Sequence, residues 1–284
     1  MEKIQRKNIV RWLPQREKNT YKNKLGAVLC IGGNKDMGGA IILSAKAALN
    51  SGAGLLTVAS DPTNRSALHA QIPEAMFKDY SKQSDLAKAI KENDTILLGP
   101  GLGRNSKAKN IFDFVLKEIE EKHWLILDAD ALYFYASLKK NSQSKIKNLI
   151  LTPHLGEWER ITSIPAPAGE IEKNQTKAKK LAANLVLKKA RTEIYLKDEI
   201  WKNSAGNPSM ATGGMGDTLA GMIAGFLGQY SDKEKAILSA VYIHSAIADE
   251  LAEQHYVTLP SLISKEIPIF MKQLSLESIN NKSF

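Results

Sequence analysis

Short apolar runs recur along the chain, and several are apolar throughout instead of alternating with polar positions. Gly26–Ile31, Leu55–Ala59, Thr95–Leu98, Trp124–Asp128 and Leu149–Thr152 have this character, which a parallel strand covered on both faces requires. Glu193–Lys197 and Glu199–Asn203 predict a further pair of strands. Between the runs lie helical patterns. After Asn105, residues Ala108, Ile111, Phe112, Val115, Leu116 and Ile119 fall on one stripe at three- and four-residue spacing. Ala178, Leu181, Ala182 and Leu185 form a second such stripe, with Lys177, Lys179 and Lys180 facing outward. Helices are also predicted at Ala40–Ser51, Ala131–Leu138, Gly216–Gln229 and Asp232–Gln254. Repeated strand–helix–strand units imply an α/β fold: a three-layer α/β/α sandwich around a mostly parallel central sheet.

No internal repeat or long linker divides the chain, so residues 1–284 read as one domain. Residues 1–20 form an N-terminal extension ahead of the first strand, Ile164–Gly169 a surface loop, and 275–284 a polar, frayed tail. Composition adds exclusions. With 43% hydrophobic and 24% charged residues the chain can bury a sizeable core. Cys30 is the only cysteine, so an internal disulfide and a cysteine-based zinc site are both excluded. It sits in an apolar run as a small buried hydrophobe. No apolar stretch approaches the roughly 20 residues needed to span a bilayer, and no secretory signal opens the chain, so a cytoplasmic protein without a membrane partner is expected. The net charge of +9 raises nucleic acid as a partner. However, Lys107, Lys109, Lys117 and Lys122 are interleaved with Asp113, Glu118, Glu120 and Glu121, as on a solvated helix face, and nucleic acid is set aside.

Candidate chemistry concentrates where strands lead into helices, the edge at which open α/β sheets bind ligands. The sharpest segment is Gly206-Asn207-Pro208-Ser209-Met210-Ala211-Thr212-Gly213-Gly214-Met215-Gly216-Asp217. Its glycines let backbone N–H groups approach a ligand, and the helix that follows aims its positive dipole end at the turn: an anion hole for phosphate. Asp217 falls in the first helical turn, where the dipole favours the ionised form. A carboxylate beside a phosphate cradle is repelled by the ligand. The role that explains it is taking the proton of a hydroxyl that attacks the phosphate. Helix capping is the plainer alternative. Asp128 and Asp130 lie at another strand end, where Asp130 reads equally well as an N-cap or, with Asp128, as a pair ordering water or Mg²⁺. His69, His123, His244 and His255 have no companions at metal-ligand spacing and read as structural.

Thr212–Asp217 resembles the anion-hole and base motif of ribokinase-like enzymes. With the preceding Gly206–Ala211 it is similar to the bacterial NAD(P)H-hydrate dehydratases, which repair hydrated nicotinamide cofactors. Four more segments resemble that family in the same order: Ile31–Asn34 with Gly38–Ala40, Gly99–Gly103, Leu127–Leu132 and Leu151–Glu157. The resemblance spans about residues 10 to 255. It implies a ribokinase-like fold and a reaction in which the ring hydroxyl of the hydrate takes a phosphoryl group from ADP (or ATP), after which phosphate is eliminated. It implies that Asp217 is the catalytic base, that Ala40, Gly103, His154 and Asp217 contact the substrate, and that Lys188, Lys189, Ala190, Arg191, Thr192, Gly213, Gly214 and Gly216 line the nucleotide. Glu157 is the residue that could hold Mg²⁺ through water. The resemblance further implies a homo-oligomer and a functional link to a separate NAD(P)H-hydrate epimerase. Two positions depart from the pattern: Asp36-Met37 stands where an aromatic–proline pair is expected, and Lys189 where the family has glycine. The same anion hole and base would serve a small-molecule kinase acting on a vitamin precursor, which is the competing reading, and a non-catalytic nucleotide-binding protein is a third.

Overall fold

The fully apolar runs assemble side by side into one sheet. A computed structural model describes residues 1–138, 146–165 and 171–280. Its ten-stranded sheet has the order β1 (Glu2–Ile4), β10 (Ile200–Asn203), β9 (Glu193–Tyr195), β8 (Ala183–Leu187), β7 (Leu149–Leu151), β6 (Trp124–Leu127), β5 (Thr95–Leu98), β2 (Ala27–Ile31), β3 (Leu55–Ser60), β4 (Met76–Asp79). From β8 to β4 every neighbouring pair is parallel. β9 runs antiparallel to both β8 and β10, and β1 joins β10 in parallel. The helices among the described residues are α1 (Arg6–Trp12), α2 (Gly38–Asn50), α3 (Arg65–Gln71), α4 (Gln83–Glu92), α5 (Ser106–Glu118), α6 (Asp130–Ala136), α7 (Leu155–Thr162), α8 (Ile171–Lys180), α9 (Met215–Leu227), α10 (Lys233–Ala252) and α11 (Pro260–Asn280).

Alternate strand residues feed two separate cores, which is why the runs are apolar throughout. Val28, Cys30, Leu97, Ile126, Ile150 and Val186 pack with α2, α9, α10 and α11. Leu29, Ile31, Leu98, Leu127, Leu151 and Leu187 face α4, α5, α6 and Trp158 of α7. The three-layer, mostly parallel sandwich is therefore present. Within the first core α2 and α9 approach unusually closely: a Cβ on Gly221 would lie 2.0 Å from the Ser44 carbonyl oxygen, and one on Gly225 2.4 Å from that of Ala48. This contact fixes the start of α9, and with it Asp217, over the carboxyl edge of the sheet.

Several expected boundaries change. The stripe through Leu185 is not one helix: α8 ends at Lys180, Ala182 turns the chain at φ +50°, and Ala183–Leu187 is strand β8, paired with β7. Residues 1–20, expected as an extension, contain β1 and α1, whose Ile4, Ile9 and Val10 are buried. α11 continues through Asn280 with Leu274 and Ser278 buried, so the expected frayed tail is helical that far, and 281–284 lie outside the described residues. The expected loop Ile164–Gly169 also falls partly outside them. Cys30 is fully buried, and burial pushes its thiol up to about 12.

Candidate functional site

Five strand ends and one helix start converge on the carboxyl edge. β2 leads to Gly32–Gly39, β5 to Gly99–Gly103, β6 to Asp128–Asp130, β7 to Thr152–His154 and β8 to Lys188–Thr192, while α9 opens with Gly214 as its N-cap in a left-handed conformation, φ +89°.

Asp217 lies half-buried in the first turn of α9. Its neighbourhood is organised by Lys188, whose Nζ donates to Asp128 Oδ1 at 2.7 Å; the same oxygen accepts from Thr152 Oγ1 at 2.7 Å. A Cβ on Gly216 would lie 3.1 Å from that Nζ, so the lysine head abuts the α9 turn. Burial first, then the Asp128 charge, raise Asp217 to about 7; Lys188 opposes them and Asp130 adds to them. This corrects the expectation that the helix dipole holds Asp217 ionised: loss of water outweighs the dipole, and the carboxyl sits at the protonation balance a general base requires. Burial works against the Lys188 ammonium, but Asp128 and Glu157 outweigh it and keep its pKa above the usual lysine value.

Asp128 and Asp130 serve different partners because Ala129 between them adopts a strained conformation, φ +48° and ψ −119°. Asp130 is not an N-cap, that position being Ala129. Its Oδ2 accepts from the Gly103 N–H at 2.8 Å and its Oδ1 from Arg104 Nε at 2.8 Å, so it fixes the Gly99–Gly103 loop. That loop is bonded in turn to the Gly32–Gly39 loop, Gly33 N donating to Pro100 O at 2.8 Å. The structure thus brings Ala40, Gly103, Asp130 and Asp217 to one side of the site: Gly101 packs against Ala40, and the charges of Asp130 and Asp217 interact.

On the other side opens a cavity of about 800 Å³ lined by His154, all of Lys188–Thr192 and Gly216. Gly213 and Gly214 do not line it. A Cβ on Gly213 would meet open space, whereas one on Gly214 would strike Leu43. His154, exposed, is the N-cap of α7, and Pro153 stands just outside the helix. The imidazole Nδ1 accepts from the Gly156 and Glu157 N–H groups, and Glu157 Oε2 accepts from the His154 N–H at 2.9 Å. Glu157 is buried, and burial raises its pKa against the pull of Lys188. Lys189 is held by Glu193, Nζ to Oε1 2.6 Å. Glu193 Oε2 accepts from Tyr195 OH, which accepts from Asn174, whose Oδ1 accepts from Trp158 Nε1 at 2.8 Å. The side chain that replaces the family glycine is therefore tied back into a buried polar chain reaching α7. Arg191, at φ +64°, donates to the Ser204 carbonyl.

Sequence reasoning missed His244, read as merely structural. It lies on α10 in the cavity wall, where burial pushes it down to about 4 and its Nε2 has no partner among the described residues. Asn203 and Ser245, hydrogen-bonded at 2.8 Å, also line the cavity. None of the three lies in a recognisable motif; only α10's position beside α9 identifies them.

Comparisons with known proteins agree with this geometry. A family model described as NAD(P)H-hydrate dehydratase matches residues 28–269. The ADP-dependent (S)-NAD(P)H-hydrate dehydratase of Staphylococcus aureus is 47% identical over 262 residues, 92% of this chain and 94% of that protein. A ribokinase-like superfamily protein of Enterococcus faecalis superposes with a TM-score of 0.92 at 40% identity, covering 96% of both chains. The ADP/ATP-dependent NAD(P)H-hydrate dehydratase of Bacillus subtilis, crystallised with ATP and Mg²⁺, gives a TM-score of 0.85 at 31% identity over 96% of this chain and 98% of its own. With the ribokinase-like sandwich, the glycine turn opening α9 and the Asp217 carboxylate all in place, this chain belongs to the NAD(P)H-hydrate dehydratase family.

Proposed function

We propose that this protein catalyses the ADP-dependent dehydration of hydrated NADH and NADPH (the S epimer), restoring NAD(P)H with release of AMP and phosphate. The observation that carries this reading is Asp217: a half-buried carboxyl with a pKa of about 7, set between the Lys188 ammonium and the glycine turn of α9. ADP lies in the cavity along Lys188, Lys189, Ala190, Arg191 and Thr192, and its terminal phosphate reaches past Gly216, out of the cavity, to the turn of Gly213 and Gly214. The hydrate lies against Ala40, Gly103 and His154. Asp217 takes the proton of the ring hydroxyl as its oxygen attacks the terminal phosphorus and AMP leaves. Hydroxide is a poor leaving group and phosphate a good one. The ring nitrogen lone pair then expels phosphate, the neighbouring carbon loses a proton, and the ring double bond returns.

The residues also fit Mg²⁺. Glu157 presents a buried carboxylate beside Lys188 and Asp128, and among the described residues no three His, Cys, Asp or Glu side chains form a metal cage. That suits an ion held mainly by water and nucleotide oxygens with a single protein carboxylate. Bound there, Mg²⁺ would neutralise phosphate charge. ATP is a second phosphoryl donor for the same cavity.

We place the enzyme in the cytoplasm with its cofactor substrates, working with a separate epimerase; no helix among the described residues is long and apolar enough to cross a membrane. Exposed Tyr256, Val257, Leu259, Ile269 and Leu276 support a homo-oligomer. One domain over 1–284 agrees with the single sheet. The test is incubation with hydrated NADH and ADP. NADH absorbance should return with equimolar AMP and phosphate, and Asp217→Asn should abolish this while ADP still binds. Failure with both ADP and ATP, alongside phosphorylation of a vitamin-precursor alcohol, would establish the kinase reading instead.

A further inference from the structure

We infer that the side-chain amide of Asn34 is a substrate-binding donor, placed to hydrogen-bond the carboxamide oxygen of the hydrated nicotinamide ring. Asn34 lies in the loop between β2 and α2 and is clamped on every side but one. Its Oδ1 accepts from the backbone N–H groups of Asp36 at 2.8 Å and Met37 at 3.0 Å. Both partners are obligate donors, which fixes which end of the amide is oxygen. Its own N–H donates to the Gly101 oxygen at 2.6 Å, and its carbonyl accepts from Asn64 Nδ2 at 3.3 Å.

The remaining end, Nδ2, lies over Gly103: a Cβ on that residue would approach it to 2.7 Å. Only glycine at 103 leaves this donor uncovered. No acceptor among the described residues takes it. The Asp130 carboxylate, bonded to the Gly103 N–H, has both oxygens engaged by Gly103 N and Arg104 Nε. A rigid, solvent-accessible donor fixed over Gly103 is placed to exchange water for a ligand acceptor. The donor lies over Gly103, whose N–H is held by the Asp130 carboxylate; that charge disfavours an anion there, so the acceptor is a neutral carbonyl. The part of the substrate expected between Ala40 and Gly103 is the ring, whose carboxamide supplies one. The inference rests on the proposed dehydratase reading for the identity of that carbonyl.

The test is Asn34→Asp, which keeps the acceptor for Asp36 and Met37 and replaces the donor by a charged acceptor oxygen. It is assayed on hydrated NADH and on the hydrate of its 3-acetylpyridine analogue, which carries a carbonyl but no amide N–H. On the analogue KM should rise about tenfold, the order of one hydrogen bond lost. On hydrated NADH the rise should be smaller, because its amide can turn and donate to the new carboxylate. KM for ADP and the thermal midpoint should stay unchanged. Asn34→Ser, whose hydroxyl can hold the turn but is too short to reach over Gly103, should raise KM for both substrates and serves if the aspartate variant folds poorly. KM values within twofold of the unaltered enzyme on both substrates would overturn the role of Asn34. An unaltered enzyme inactive on hydrated NADH would instead overturn the dehydratase reading.

Discussion

If burial and Asp128 hold Asp217 near pH 7 in the folded protein, this carboxyl is a stability liability, and Asp217→Asn should strengthen the fold in a pH-dependent way. A carboxyl that titrates at 3.8 when solvated and at about 7 when folded is protonated more readily in the native state. Below pH 3.8 both states hold the proton and the site costs nothing. As pH rises through 3.8 the unfolded chain ionises first, and stability falls until the folded carboxyl also ionises near 7; above that the loss is constant. At about 1.4 kcal/mol per pH unit the full loss is about 4 kcal/mol. The α9 N-terminus and the water still reaching the side chain lower this to about 2–3 kcal/mol. An amide of the same shape carries no such term. The assay is urea unfolding of both proteins without nucleotide, from pH 5 to pH 8.5. The variant's advantage should grow by about 1–2 kcal/mol across that range and level off above pH 7. A constant difference, or one that shrinks as pH rises, would refute the assignment of a raised pKa to Asp217.

The same carboxyl must be ionised to accept a proton, so kcat/KM of the unaltered enzyme should rise with pH along a limb centred near 7; Asp128→Asn removes a charge that raises Asp217 and should move that limb lower, read in a pH–rate profile. Glu193→Gln leaves the Lys189 ammonium without its counter-charge at a largely buried site. It should cost about 2 kcal/mol, lower the thermal midpoint by several degrees and raise KM for ADP, and adding Lys189→Met should recover much of the stability. Gly221→Ala drives a methyl to within 2.0 Å of the Ser44 carbonyl, so α2 and α9 must separate. A loss of about 2–3 kcal/mol with a reduced kcat is expected, because Asp217 lies one turn away on the displaced helix.

Strands β2, β3, β5, β6 and β7 were legible because both of their faces are buried, and residues such as Val28 to Ile31 carry that requirement in every position. β8 was misread because Leu181 and Leu185 are four apart, which satisfies a helix. The break comes from Ala182, an ordinary residue held at positive φ by its surroundings, and no local signal marks it. β1 has a single buried residue, Ile4, and mixed Met76–Asp79 of β4 has none, so neither offers a periodicity to read. The end of α11 is polar on average yet buries Leu274 and Ser278, four apart, against the body.

The site divides along a different line. Its backbone parts, the glycine turns and helix starts, are local and could be read from the chain. Its electrostatics could not, since they depend on charges distant in sequence. Lys188 and Asp128 meet across 60 positions, Gly103 and Asp130 across 27. The motif Asp128-Ala129-Asp130 makes the point sharply. Read locally, it offered a capping residue or a pair of metal-ordering carboxylates. In the fold, the strained Ala129 sends the two acids to separate loops. One holds Lys188 beside the α9 turn, and the other holds the Gly99–Gly103 loop. Strain persists where the surroundings over-determine it. Here two hydrogen-bonded carboxylates on either side of one alanine do so, coupling the Lys188 side of the site to the Gly99–Gly103 loop through a single residue.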